Sequence, residues 1–141
     1  MRLAVTRIDP TLPLPAYATP GSCAFDVYAR VETVIAPHAL ALIPANLIVG
    51  VPPGHVLMLC SRSSTPKKGL LTPHGFGVID QDFCGPENEL KVQVLNYTDA
   101  PVTVARGERI AQAMVVPCPT LELEEVAATG ASRGDFGSTG K

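Results

Sequence analysis

The sequence predicts an all-β, jelly-roll-like domain on three observations. Gly and Pro, 12 and 14 of 141 residues, recur about every ten positions. The apolar runs between them are short, and few windows are long enough for a helix. Taken in order, Leu3–Ile8 opens the chain as a strand and Phe25–Tyr28 and Ala39–Ile43 follow. His55–Cys60 is entered through the turn Pro52-Pro53-Gly54. Leu90–Asn96 alternates apolar and polar side chains, as a strand with one wet face does. Val102–Val104 and Ile110–Val116 close the series, separated by the turn Ala105–Glu108. So many short edges are hidden most economically by closing the sheet or doubling it.

Composition narrows the function. A chain of 141 residues suits one domain with a core of its own. With 11 Lys+Arg against 13 Asp+Glu, a formal charge of −2 and no basic run, it lacks the clustered cations of a nucleic-acid surface. No apolar run reaches the roughly 18 residues that span a bilayer, and Met1–Val5 has no signal-peptide core, so no membrane partner and a cytoplasmic location are expected. Cys23, Cys60, Cys84 and Cys118 are widely spaced, and His38, His55 and His74 are scattered. That spacing indicates neither a zinc site nor a disulfide framework, and the cysteines are expected to act mostly as small, reduced core side chains.

Two segments break the strand pattern. Ser61–Pro73, rich in Ser, Thr, Pro and Lys, reads as a loop or at most a short helix between apolar strands, where binding groups are commonly held. The tail, residues 127–141, has Phe136 as its one large apolar side chain and is expected to be a flexible arm beyond a body formed by residues 1–126.

Four constellations carry possible chemistry. The tail joins Arg133, Phe136, Ser138 and Thr139 to three glycines, a set able to wrap an anion and stack on a base, although Gly/Ser-rich termini are often plain linkers. Arg62, Ser63, Ser64, Thr65, Lys67 and Lys68 follow a strand and could hold a polyphosphate or simply face water. Gly75–Gly85 ends an apolar stretch in Asp80 and Asp82, candidates for a general base or an indirect metal partner, or plain turn formers. Gly107–Gln112 begins a strand, with Gln112 able to face a ligand or lie on a wet face.

Taken in order, these segments resemble the five motifs of the homotrimeric dUTP pyrophosphatases, the dUTPases. Ala24–Ala29 resembles A/G-Y/F-D-L-x-A, and Ser61–Ser64 resembles P-R-S-S/G. Gly77–Gly85 resembles G-V-I-D-x-D-Y-R-G, Gly107–Gln112 matches the fourth motif nearly letter for letter, and Phe136–Gly140 ends the fifth. The resemblance implies a distorted jelly-roll barrel of the dUTPase-like, β-clip type. It further implies a trimer with three shared active sites, and hydrolysis of dUTP to dUMP and pyrophosphate with Mg²⁺ carried mainly by the triphosphate.

Roles then follow by position. The resemblance makes Asp80 the base for the attacking water and has Asp26 hold a magnesium-bound water, with no direct protein ligand to the metal. Arg62, Ser63, Ser64 and Gln112 would meet phosphates, and Lys91 would belong to the substrate-binding set. Gly75, Gly77, Val78 and Ile79 would read uracil through their backbone, and Phe83 would lie against the deoxyribose. From a neighbouring chain, Phe136 would stack on the base while Arg133, Gly137, Ser138 and Thr139 close on the phosphates.

The chain departs from the family pattern in four places. Phe83 replaces the usual Tyr, Cys84 replaces a basic residue, Pro86–Asn88 is inserted, and Arg133 stands two residues closer to Phe136 than is usual. The alternatives are a dCTP deaminase on a similar fold, possibly bifunctional, and a nucleotide-responsive regulatory module.

Overall fold

The computed structural model describes residues 2–132 and 134. Eleven strands follow one another: β1 (Ala4–Arg7), β2 (Phe25–Tyr28), β3 (Thr33–Ile35), β4 (Leu40–Pro44), β5 (Leu47–Gly50), β6 (His55–Ser61), β7 (Leu70–Leu71), β8 (Phe76–Ile79), β9 (Lys91–Asn96), β10 (Val102–Val104) and β11 (Arg109–Pro117). A single 3₁₀ turn, Pro66–Lys68, interrupts them among the described residues. All pairings are antiparallel. The sheets run β2-β11-β6-β8, β4-β9-β7, β1-β5 and β10-β3, the all-β arrangement that the punctuated sequence predicts.

The alternation expected of Leu90–Asn96 is present in β9, where Val92, Val94 and Asn96 point inward and Lys91, Gln93 and Leu95 outward. Asn96 is fully buried, and its side chain does the work of a turn. Its Nδ2 lies 3.0 Å from the Ile35 carbonyl and 2.8 Å from that of Ala100, while Oδ1 accepts the Thr98 N–H at 2.9 Å. In the four-stranded sheet Phe25, Val27, Leu57, Leu59, Ala111 and Ala113 face the core. The two alanines allow β11 to lie between larger neighbours on β2 and β6.

Several elements differ from the sequence expectation. The segment expected to be a loop or short helix contains the 3₁₀ turn but also β7, and its first residue belongs to β6. Gly69 ends the 3₁₀ turn at φ 84°, and an added Cβ there would collide with the Thr98 methyl, so this close crossing needs glycine. The unforeseen strand β5 begins where Asn46, at φ 65°, turns the chain two residues after Pro44 closes β4. Asn46 is buried and exchanges two hydrogen bonds with the Asp9 backbone, at 2.6 and 3.0 Å.

The cysteines are also corrected. They are free, but none is buried within the described chain: Cys23, Cys84 and Cys118 lie in exposed segments outside the strands, and Cys60 is half-buried on the outward face of β6. Beyond β11 the described tail has no strand, and Leu121, Leu123 and Val126 are exposed. No described helix is long and apolar enough to cross a membrane.

Candidate functional site

The outward face of the four-stranded sheet carries a polar row. Register places Asp26 on β2 opposite Gln112 on β11, Gln112 opposite Cys60 on β6, and Cys60 opposite Phe76 on β8. Residues directly opposite in adjacent strands point to the same face, so Asp26 and Gln112 are neighbours. Both are half-buried, and Gln112 Nε2 donates to the Ser61 carbonyl at 3.1 Å.

Arg62 reaches this row from the end of β6. Its backbone N–H donates to Thr65 Oγ1 at 3.0 Å, and the Thr65 N–H donates to its carbonyl at 3.0 Å, which fixes the first turn of the loop. Its Nε lies 2.7 Å from Asp26 Oδ1, and Nη1 donates to Ser64 Oγ at 3.2 Å. A second guanidinium completes the group, with Arg109 Nη1 3.2 Å from Asp26 Oδ2.

Arg109 was assigned no role in the sequence reading, and the reason is geometric. It stands three positions before Gln112, so a regular strand would turn the two to opposite faces. The register of β11 on β2 shifts between Arg109 and Ala111, and Ile110 and Ala111 are consecutively buried. This bulge restores Arg109 to the face of Asp26. The turn before it is anchored, since Gly107 N donates to the Ala29 carbonyl and Ala29 N to the Glu108 carbonyl, both at 2.8 Å.

Together Ala18, Ser22, Ala24, Asp26, Arg62, Ser63, Arg109 and Gln112 line a cavity of about 290 Å³. Two cations against one carboxylate, with serine hydroxyls and an amide, suit an anion with several oxygens. Ser64 lines an adjoining cavity of about 430 Å³ that shares Arg62 and Arg109 and has an apolar floor including Ile43, Val94 and Val104. There Lys68 is ion-paired with Glu108, which also caps its own turn by accepting the Ala105 N–H at 3.1 Å.

The metal role can be tested against this geometry. Both Asp26 oxygens already accept guanidinium donors. The cavity's excess of positive charge fits a cation that arrives wrapped in phosphate oxygens and meets Asp26 through water, rather than one bound directly by the protein.

The other sequence-predicted residues lie elsewhere in the chain. Gly75 forms a turn at φ 77°, its N–H donating to the Thr72 carbonyl at 3.1 Å, and β8 then pairs with β6. Gly77 lies opposite Leu59, where an added Cβ would stand 3.4 Å from the Leu59 Cβ. Val78 is exposed and Ile79 partly buried. Asp80 follows β8, exposed, and its carbonyl accepts the Phe83 N–H at 3.3 Å, so it is also a turn former. Phe83 is exposed, and Lys91 is an exposed residue at the start of β9, in a different sheet from the Asp26 cluster. The inserted Pro86–Asn88 forms a compact turn in which Asn88 Oδ1 accepts the Gly85 N–H at 2.8 Å. Arg133, Phe136, Gly137, Ser138 and Thr139 lie outside the described residues.

The structure therefore unites Asp26, Arg62, Ser63 and Gln112 but not Asp80. Asp26 shares a row with Phe76 across three strand spacings, and Asp80 lies four residues beyond Phe76, just past the end of β8. Standard sheet dimensions put the two carboxylates about 20 Å apart within one chain.

Comparison with known proteins identifies the family. The sequence pattern of the dUTPase family matches residues 11–140. A deoxyuridine 5'-triphosphate nucleotidohydrolase from Anaeromyxobacter sp. (strain Fw109-5) is 38% identical, over 97% of this chain and 94% of that protein. One from Mycobacterium marinum is also 38% identical, over 98% of this chain and 94% of that protein. Among solved structures, the dUTPase from Streptococcus mutans superposes with a TM-score of 0.77 at 30% identity, covering 84% of this chain and 98% of that one. A Staphylococcus bacteriophage 80alpha dUTPase mutant with dUpNHpp shares the fold at a TM-score of 0.86 and 24% identity, over 99% of this chain and 98% of that one. With its fold, its motifs and nearly its whole length in common with them, the chain belongs to the dUTPase family.

Proposed function

We propose that the chain hydrolyses dUTP to dUMP and pyrophosphate in the cytoplasm, at sites shared between three copies. The observation that carries this reading is the cavity in which Arg62 and Arg109 flank Asp26, with Ser63 and Gln112 on its wall. Fixed donors of this kind hold phosphate oxygens and stabilise the charge that shifts when the α–β bridge breaks. Mg²⁺ on the triphosphate would neutralise part of that charge, with Asp26 meeting it through water.

Asp80 takes the proton of a water that attacks the α-phosphorus, the bond to the β-phosphate breaks, and pyrophosphate leaves. Within one chain Asp80 is too far from the arginines to act on a phosphate they hold, so a second copy supplies it. Gly75, Gly77, Val78 and Ile79 bring backbone groups to the uracil beside that Asp80, and Phe83 lies against the deoxyribose. Lys91 joins the substrate-binding set. Residues 127–141 form an arm beyond the body, residues 1–126, and bring Arg133, Phe136, Gly137, Ser138 and Thr139 of a third copy over the nucleotide, excluding water.

Exposed apolar rows support assembly. On the outer face of β4-β9-β7, Leu40 pairs with Leu95, and Leu95 with Leu71. Leu40 is 60% and Leu71 42% exposed, with Leu42 at 57% beside them. A contiguous leucine surface of this kind is covered by a partner in most soluble proteins.

The direct test is to incubate the protein with dUTP, dCTP, dTTP or UTP and Mg²⁺, alongside a native mass measurement. Pyrophosphate released from dUTP alone by a complex of three chains is the expected outcome. Equal turnover of UTP, or ammonia from dCTP, would replace this reading with another.

A further inference from the structure

Asp26 sits between two demands that its geometry sets against each other. Oδ1 lies 2.7 Å from Arg62 Nε and Oδ2 lies 3.2 Å from Arg109 Nη1, so both oxygens are occupied by the donors a phosphate would need. A guanidinium binds phosphate and carboxylate oxygens with the same forked geometry, so the two anions compete for it. The Arg109 side chain is 55% exposed, against 24% for Arg62 and 18% for Asp26, which makes Arg109 the arm freest to change partner.

We infer that Asp26 is an internal competitor for the phosphate-binding arginines, and that Arg109 is itself a phosphate ligand of this site. A polyphosphate entering the cavity exchanges the Asp26–arginine pairs for phosphate–arginine pairs and thereby releases the Asp26 oxygens. This rests on the phosphate-binding reading of the cavity given above, and adds to it a mechanism of coupling. While the arginines hold Asp26, each of its oxygens already accepts from a guanidinium, so the carboxylate is a weaker acceptor for water on a metal. Once phosphate draws them away, it is a stronger one, so polyphosphate and Mg²⁺ favour each other's binding, as linkage requires. The bulge at Arg109 is the structural device that makes the second pair possible.

The lock lowers polyphosphate affinity by the fraction of time the arginines are free. For two partly exposed ion pairs this amounts to about three- to tenfold. The test is calorimetric titration of inorganic pyrophosphate into the full chain, first with EDTA and then with Mg²⁺. In EDTA, Asp26→Asn should bind pyrophosphate about three- to tenfold more tightly than the unsubstituted protein, and Arg109→Gln several-fold more weakly. Mg²⁺ should tighten binding to the unsubstituted protein and leave Asp26→Asn nearly unchanged.

Equal or weaker binding by Asp26→Asn in EDTA would overturn the competition, and unchanged binding by Arg109→Gln would remove Arg109 as a ligand. A second readout needs no substitution: bound pyrophosphate should shift the guanidinium nitrogen resonances of both arginines, and unshifted resonances under saturation contradict the exchange. Assaying dUTP turnover on the same unsubstituted preparation separates the two readings. Tightening in Asp26→Asn without dUTP turnover keeps the competition and rejects dUTP, whereas turnover without tightening rejects the competition alone.

Discussion

Asp26 and Asp80 belong to opposite edges of one sheet and live in opposite surroundings. Asp26, in mid-strand on β2, is half-buried and held by two guanidiniums. Asp80, just past the end of β8, is exposed at a turn. The first arrangement is a charged cradle closed within one chain, while the second is an exposed carboxylate with no charged partner from its own chain among the described residues. On the proposed reading, the contrast divides the body of one copy into a phosphate-binding half and a water-activating half that serve different neighbours.

The sharpest way to break this contrast is to neutralise each carboxylate's side of it. Asp80→Asn should lower dUTP turnover by about 10²- to 10⁴-fold, as loss of a general base does. It should leave folding and nucleotide binding intact, because Asp80 is exposed and the substitution keeps its shape; a near-normal rate in a turnover assay would remove it from the chemistry. Arg62→Ala should reduce kcat/KM by about a hundredfold, since charge-assisted bonds are worth about 1.5–3 kcal/mol each. It should also leave the Asp26 carboxylate with Arg109 as its remaining partner, so that thermal stability drops as well, which Asp80→Asn should not cause.

A substitution away from both halves sharpens the comparison from the other side. Asn96→Ala strips partners from the Ile35 and Ala100 carbonyls and the Thr98 N–H, and should cost about 2–3 kcal/mol in urea unfolding. Turnover per folded molecule should stay close to normal.

The smallest effect concerns acid. The hydrogen bond from Thr11, and then the Arg106 guanidinium, hold the Asp9 carboxyl down to about 2 from its usual 3.8. Because the folded value is depressed, its contribution is fully present above about pH 3.8 and is lost as pH falls toward 2. Urea midpoints measured between pH 5 and 2 should fall less steeply in Asp9→Asn than in the unsubstituted chain.

These residues also show what was legible beforehand. The all-β class and seven of the strands lay in local patterns of apolar runs and punctuating Gly and Pro. β5 was hidden because only Ala45 and Asn46 divide it from β4, and the turn is made by Asn46 in a left-handed conformation. Asp26, Arg62, Ser63 and Gln112 were found through motifs whose order matched a family, and three strands' register brings them together. Arg109 stands inside one of those motifs but was given no role; strand parity alone would turn it away from Gln112, and the bulge turns it back. A bulge is a property of pairing between distant segments, and no local signal in Gly107–Gln112 encodes it. Likewise, the cysteines were expected inside because free thiols usually are, but their positions follow from loops and from the outward side of β6.

The central claim is that Asp80 of one copy serves the arginine cavity of another, and mixing two crippled chains tests it most directly. Asp80→Asn copies retain the arginines, Arg62→Ala copies retain the base, and each assembly alone is nearly inactive. Unfolded together in equal amounts and reassembled, they should recover about a quarter of the unsubstituted activity, because each shared site draws its two halves independently. Activity no greater than the average of the two separate assemblies, in a preparation shown by native mass to contain mixed trimers, would contradict the account.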